Sequence, residues 1–253
     1  MFKFFQPRLR RRIFFVHVMK TGGTSLRSML ISQMGECAVY PNDQELAAQP
    51  HGWYPESDFI SKNLGTIRKH QVLVGHHPFS LLHQLGQSYQ AVTFLREPFS
   101  RTFSMLAHRR RTVKGCGELS DEALLADERF VGEQILNYQT KVFADGVKRV
   151  NGFHLITEAD LKTAVQNLNS FALVGISEHF HESCLLFDRI FQTRLAGGIR
   201  HENANPEPRP MSPDLREKIR PLIQLDLVLY EEAMKKFRRD LAGQGIVLPL
   251  QHR

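Results

Sequence analysis

Cysteine is scarce in these 253 residues: only Cys37, Cys116 and Cys184, odd in number, widely spaced and without a C-x-x-C pair. That pattern speaks against a disulfide framework or a thiolate zinc site and fits reduced thiols in a cytoplasmic protein. No N-x-[ST] acceptor occurs, which agrees with that compartment. No apolar run approaches the roughly 20 residues of a membrane span. The opening MFKFFQPRLRRR is too short and too interrupted to be the apolar core of a secretory signal. Internal repeats and low-complexity tracts are also missing. Acidic residues are in deficit, 26 against 33 Lys and Arg, for a net charge of +7. The excess of positive charge favours an anionic partner such as a nucleotide, an acidic glycan, a nucleic acid or a headgroup surface, without choosing among them.

What is present reads as one α/β domain over residues 13–253, preceded by a basic arm over 1–12. Apolar runs suited to strands buried on both faces recur at Ile13–Val18, Val72–Gly75, Ala91–Leu95 and Ala172–Ile176. Each leads into a loop or a helical pattern. Pro98 stands where a first-turn proline belongs and opens a helix to Arg111. On it Phe99, Phe103 and Leu106 share one face, and Arg101, Ser104 and His108 the opposite one. The stretch from Ser120 to Phe143 reads as amphipathic helix, Asn203 to Pro213 as a proline-rich connector, and Ser212 as the cap of a long last helix reaching about Asp240. Phe171, Phe180, Phe187 and Phe191 are spaced as core.

Two segments carry phosphate-binding chemistry. The first strand runs into Met19-Lys20-Thr21-Gly22-Gly23-Thr24-Ser25 and then a helix. Paired glycines let backbone N–H groups approach an anion, the helix start adds dipolar attraction, Lys20 supplies charge, and Thr21, Thr24 and Ser25 supply hydroxyls. The order is not that of a Walker A loop, because the lysine precedes the glycines. The second segment is Arg96-Glu97-Pro98-Phe99-Ser100-Arg101-Thr102-Phe103-Ser104. It places a guanidinium at a strand end and the Ser104 hydroxyl on the following helix, a pair able to hold a second phosphate. Between them Val72-Leu-Val-Gly75-His76-His77 brings two imidazoles to a strand end, where a neutral ring can accept a hydroxyl proton near neutral pH. Glu178, His179, His181 and Glu182 suggest metal ligands, but the two histidines point to different sides of a helix, so no metal site is expected.

Taken together, Lys20-Thr-Gly-Gly-Thr-Ser25 and Arg96-Glu-Pro-x-x-Arg101-x-x-Ser104 resemble the 5′-phosphosulfate loop and 3′-phosphate motif of sulfotransferases dependent on 3′-phosphoadenosine 5′-phosphosulfate (PAPS). The resemblance is in particular to the branch of the heparan sulfate 2-O-sulfotransferases and bacterial carbohydrate sulfotransferases. The family's H-x-P-K-T-G-G-T-S is matched from His17, with Met19 in place of proline. Weaker likeness continues through Asn137-Tyr-Gln-Thr140, Val174-Gly-Ile-Ser-Glu178, and Ser212-Pro-x-Leu with Asp226 and Tyr230.

The resemblance implies a P-loop-kinase-like three-layer fold with a central parallel sheet flanked by helices. It also implies PAPS as donor, adenosine 3′,5′-bisphosphate as product, no required metal, and a hydroxylated acceptor, possibly an acidic glycan. Lys20, Thr21, Gly22, Gly23, Thr24, Ser25, Arg96 and Ser104 would bind the donor, with Lys20 stabilising the departing phosphate. Arg101 would support that site. The family's Gly-His pair falls on Gly75-His76, making His76 the expected base; Val74 breaks the family's H-G-H. Arg194 to Asn205, with Arg200, could cover the nucleotide. A nucleotide kinase on the same fold is the rival reading, disfavoured by the missing Walker A order and magnesium carboxylate. A nucleic-acid module, disfavoured by aromatics that read as core, and a non-catalytic nucleotide-binding scaffold are the others.

Overall fold

A computed structural model describes residues 11–42, 44–45, 59–77, 79–144, 156–198 and 211–249. Five strands form one parallel sheet: β1 (Arg12–Val16), β2 (Val39–Tyr40), β3 (Val72–Gly75), β4 (Tyr89–Leu95) and β5 (Leu173–Ile176), in the order β2-β3-β1-β4-β5. Strand β1 lies at the centre, with Phe14 opposite Leu73 of β3 on one side and Ala91 of β4 on the other. Ile13, Phe14, Phe15 and Val16 are all fully buried. That is why the run is continuously apolar and not alternating, since helices cover both faces of such a sheet. The structure thus has the expected three-layer architecture.

The helices are α1 (Gly23–Met34), α2 (Phe59–Ile67), α3 (Leu81–Leu85), α4 (Pro98–Thr112), α5 (Asp121–Leu125), α6 (Glu128–Gln134), α7 (Tyr138–Phe143), α8 (Glu158–Ser170), α9 (Phe180–Phe191), α10 (Pro213–Ile219) and α11 (Gln224–Gly243). A main core surrounds the sheet, and a second gathers Phe99, Leu106, Phe130, Ile135, Leu215 and Ile219. Met19 packs against both, so the loop after β1 sits at their junction.

One expectation is refined and one corrected. The amphipathic helical stretch Ser120–Phe143 divides into three short helices. Ser120 and Asp127 each cap a new start by accepting from Ala123 N–H and Phe130 N–H, and Asn137 turns the chain with φ 43°. The long last helix is likewise two. Ser212 does cap a helix, through Leu215 N–H, but Pro221 ends it within a turn and α11 restarts at Gln224. Arg101 of α4 is fully buried, against Met19, Gln134 and Tyr138. The N-terminal arm up to residue 10, Arg200 and most of the 203–213 connector lie outside the described residues. Among the described residues, no helix is long and apolar enough to cross a membrane.

Candidate active site

The carboxyl ends of β1, β3, β4 and β5 lie along one edge, and each delivers a different part of the site. Order reverses at β1, whose neighbours β3 and β4 lead the chain to opposite sides, and such a switch point opens a crevice at the strand ends.

From β1 the chain passes through His17 and Val18 into the turn. Thr21 is buried, its hydroxyl donating to the Val18 carbonyl at 2.9 Å, so it holds the turn closed from inside. Lys20 has φ 68° and Gly22 φ 85°. Left-handed backbone costs a non-glycine residue roughly 1–2 kcal/mol, so the strain at Lys20 is sustained by the surrounding contacts. Gly22 caps α1 without a side-chain hydrogen bond, and the first helical bond runs from Leu26 N–H to the Gly22 carbonyl. The N–H groups of Gly23, Thr24 and Ser25 therefore have no acceptor within the helix. Phe180 packs over Gly22, and a Cβ at Gly23 would lie 2.1 Å from Cδ2 of His17. Only glycine fits there.

From β4 comes Arg96. Its Nη1 donates to the Lys20 carbonyl at 3.4 Å, and its Nε stands 3.8 Å from Glu178 Oε1. Its backbone is gripped by Gln139, which accepts from Arg96 N–H at 3.1 Å and donates to the Arg96 carbonyl at 2.9 Å. Gln139 is in turn fixed by the buried Asp226 of α11. That carboxylate accepts from Gln139 N–H, Thr140 N–H and the Thr140 hydroxyl at 3.1, 2.7 and 2.8 Å. Burial still raises the Asp226 pKa above the ordinary value, with these bonds and Arg101 opposing. Glu97 caps α4 through Ser100 N–H at 2.7 Å, and Ser104 stands partly exposed on the same helix.

Arg101 touches the loop from behind. Its Nε donates to the Met19 carbonyl at 3.3 Å, its Nη1 to the Gln134 carbonyl at 2.6 Å, and its guanidinium lies 4.0 Å over the Tyr138 ring. From β5, Ser177 Oγ lies 2.7 Å from the Thr21 carbonyl and 3.0 Å from that of Leu95, joining two loops. Glu178 accepts from Glu97 N–H and, through its second oxygen, from the Tyr230 hydroxyl, both at 3.1 Å. Ser177, Gln139, Asp226 and Tyr230 had no role in the sequence reading beyond their place in weakly similar segments.

The electrostatics are one-sided. Burial lowers the Lys20 pKa, and Arg111, Arg96 and Arg101 lower it further. His108 is lowered by burial, then by Lys20 and Arg111. The basic run at the end of α4 divides: Arg109 pairs with Asp127 and Arg110 with Asp121, while Arg111 and His108 stay within electrostatic reach of Lys20. An edge that gathers like charges around a desolvated lysine, beside open helix N–H groups, is suited to a polyanion.

From β3 come the histidines. His76 is partly exposed, and its Nδ1 lies 2.7 Å from the His17 carbonyl. A carbonyl only accepts, so Nδ1 carries the proton and Nε2 keeps the lone pair. His77 is buried against Gly75 and Phe14, with neither ring nitrogen hydrogen-bonded, and burial pushes its pKa down to about 3, with His76 adding to the shift. Of these two histidines, His76 has the exposure a base needs. The structure brings Lys20 and Arg96 into contact and puts His76 on the same edge. His179 stacks on Phe237, His181 is exposed, and no group of three or more metal-ligating side chains occurs among the described residues.

No protein-family model and no curated protein matches the chain. Among solved structures, a sulfotransferase from Alicyclobacillus acidocaldarius is similar with a TM-score of 0.49 and 17% identity, over 92% of this chain and 98% of its own. The site described above rests on the chain's own geometry.

Proposed function

We propose that the protein is a sulfotransferase that moves the sulfuryl group of PAPS to a hydroxyl of an acceptor, a carbohydrate in the reading taken from sequence. The observation that carries this is the convergence on Lys20. Arg96, Arg101 and Arg111 crowd a desolvated ammonium at the start of α1, beside N–H groups without helix partners. Such crowding is unfavourable until an anion with several charges relieves it. The residues present fit such a donor. Lys20 and the N–H groups of Gly22 and Gly23 would hold its 5′-phosphosulfate, with Thr24 and Ser25 nearby. Arg96 and Ser104 would hold its 3′-phosphate.

The chemistry asked of the protein is modest. His76 Nε2 takes the hydroxyl proton, the new oxygen–sulfur bond forms in line, and the bond from sulfur to the bridging phosphate oxygen breaks. Lys20 stabilises the charge that develops on that oxygen. The products are the sulfated acceptor and adenosine 3′,5′-bisphosphate.

The test begins with binding. Calorimetry with the bisphosphate in chelating buffer should show association without divalent metal; strict dependence on magnesium would favour a kinase. Radiolabelled-sulfate transfer over a panel of glycans and cell extracts then identifies the acceptor. Binding without transfer to any of them would leave a nucleotide-binding scaffold.

A further inference from the structure

His17 joins the end of β1 to the donor loop and to His76. It lies just beyond the end of β1 and is nearly fully buried, yet it is polar where Phe14, Phe15 and Val16 before it are apolar. Its contacts join two parts of the site. The backbone N–H donates to the Gly75 carbonyl at 3.0 Å, clamping the end of β1 to the end of β3. Its carbonyl receives the Nδ1 proton of His76. Its ring stacks on the His76 ring with centroids 4.6 Å apart and planes 21° from parallel, while Phe15 stacks nearby at 5.6 Å. The ring edge fills the space where a side chain at Gly23 would begin.

We infer that His17 is a positioning residue that couples the donor loop to the base: its carbonyl sets the tautomer of His76 and its ring sets the plane. The inference rests on the reading of His76 as base, and it goes beyond that reading by making the base's geometry depend on the residue against which Gly23 packs. A free imidazole favours no single ring orientation. A hydrogen bond to Nδ1 does not by itself fix the plane of the His76 ring, and the stacked face does. Burial, with His76, Lys20 and Arg27 nearby, keeps the His17 ring uncharged, so it stacks without repelling a proton that His76 accepts. Stacked aromatic pairs contribute enough to shift an orientational equilibrium by about tenfold.

The first test needs no activity. Full-length protein labelled with ¹⁵N in its histidine rings gives two-bond proton–nitrogen spectra, in which the His76 signals are assigned by their loss in His76→Gln. The expected pattern is a single Nδ1–H tautomer in the wild type; His17→Ala keeps the carbonyl but frees the His76 ring to pivot out of that bond, so an Nε2–H form should appear beside it. An Nε2–H or averaged pattern in the wild type overturns the inference. The second test compares binding with turnover. His17→Ala should lower kcat about tenfold while changing bisphosphate Kd less than about threefold, and His17→Phe, which restores a ring face, should recover most of kcat. Equal losses of affinity and kcat would mean that His17 only supports the loop, and would overturn the coupling. The tautomer result decides the inference even if no transfer is found, so failure of the sulfotransferase reading is distinguishable from failure of this one.

Discussion

Replacing Arg101 tests whether the donor loop is held from behind. The guanidinium is completely buried and donates to two carbonyls, those of Met19 and Gln134, while covering the Tyr138 ring at 4.0 Å. Hydrogen bonds from a charged donor contribute about 1.5–3 kcal/mol each, and a desolvated guanidinium over a ring about 2 kcal/mol. Relief from burying a cation offsets part of this. Breaking a buried charged network still costs about 3–5 kcal/mol, and that is the loss expected for Arg101→Met. With a urea slope near 3 kcal/mol per molar, the unfolding midpoint should fall by roughly 1–2 M.

The loss should also depend on pH. Burial raises the Asp226 pKa and Arg101 opposes that rise, so removing Arg101 raises it further. A carboxyl whose folded pKa lies above its unfolded value favours the folded state at low pH and gives up that stability as pH rises through the folded pKa. The deficit of Arg101→Met should therefore be smaller at pH 4 than at pH 7. Arg101→Lys keeps a charge but cannot reach both carbonyls, and should weaken bisphosphate binding although Arg101 is not assigned to the ligand. A midpoint within 0.3 M (roughly 1 kcal/mol at that slope) of wild type, with unchanged bisphosphate affinity, would refute the supporting role.

Other expectations are briefer. Arg96→Ala should weaken bisphosphate binding roughly ten- to a hundredfold, yet bind adenosine 5′-phosphosulfate, which lacks the 3′-phosphate, no worse than wild type does; calorimetry with both ligands checks it. His76→Ala should keep donor affinity and lower turnover about 10²–10⁴-fold in the transfer assay, with His77→Ala doing much less. Because the His77 pKa is lowered to about 3 from 6.5, the unfolded chain binds a proton that the folded one refuses as pH falls below 6.5. His77→Leu should then flatten the acid loss of stability between about pH 6 and 3, by at most about 1.4 kcal/mol per pH unit, as read from urea melts.

The strands were legible because both faces of a central parallel sheet are covered, which writes Ile13–Val16, Val72–Gly75 and Ala91–Leu95 as largely apolar runs, with Thr93 the one hydroxyl among them. The edge strand β2 was not, since two residues, Val39 and Tyr40, carry no pattern. Helix breaks were missed where a local signal was present. Pro221 within a helical run, and Asp127 as a cap, each mark a boundary that amphipathic spacing alone ignores. Lys20, Arg96 and the glycines could be read because anion binding needs those residue types at close spacing along the chain. The supporting role of Arg101 was expected, but its partners were not, because Met19 and Gln134 are 82 and 33 residues away in sequence.

The same reasoning explains why a helix at the end of the chain belongs to a site built from the strands. Arg96 must point its guanidinium at the loop after β1, but a residue just past a strand end has few backbone neighbours to fix it. Gln139 supplies them, pairing with the Arg96 N–H and carbonyl as a further strand would. Its backbone is pinned by Asp226, from 87 residues further on. Asn137 Oδ1 accepts from Leu225 N–H at 3.0 Å and so ties the two helix starts directly. Glu178, steadied by Tyr230, adds a carboxylate on the opposite side of the guanidinium. An uncharged contact would leave the arginine free to swing into solvent. A fully paired carboxylate would compete with any anion, and at 3.8 Å Glu178 aligns Nε without a short bond. Tyr230→Phe should therefore leave the fold intact and loosen this alignment, changing bisphosphate affinity by less than Arg96→Ala does. A loss as large as that of Arg96→Ala would mean that the tyrosine itself contacts the nucleotide.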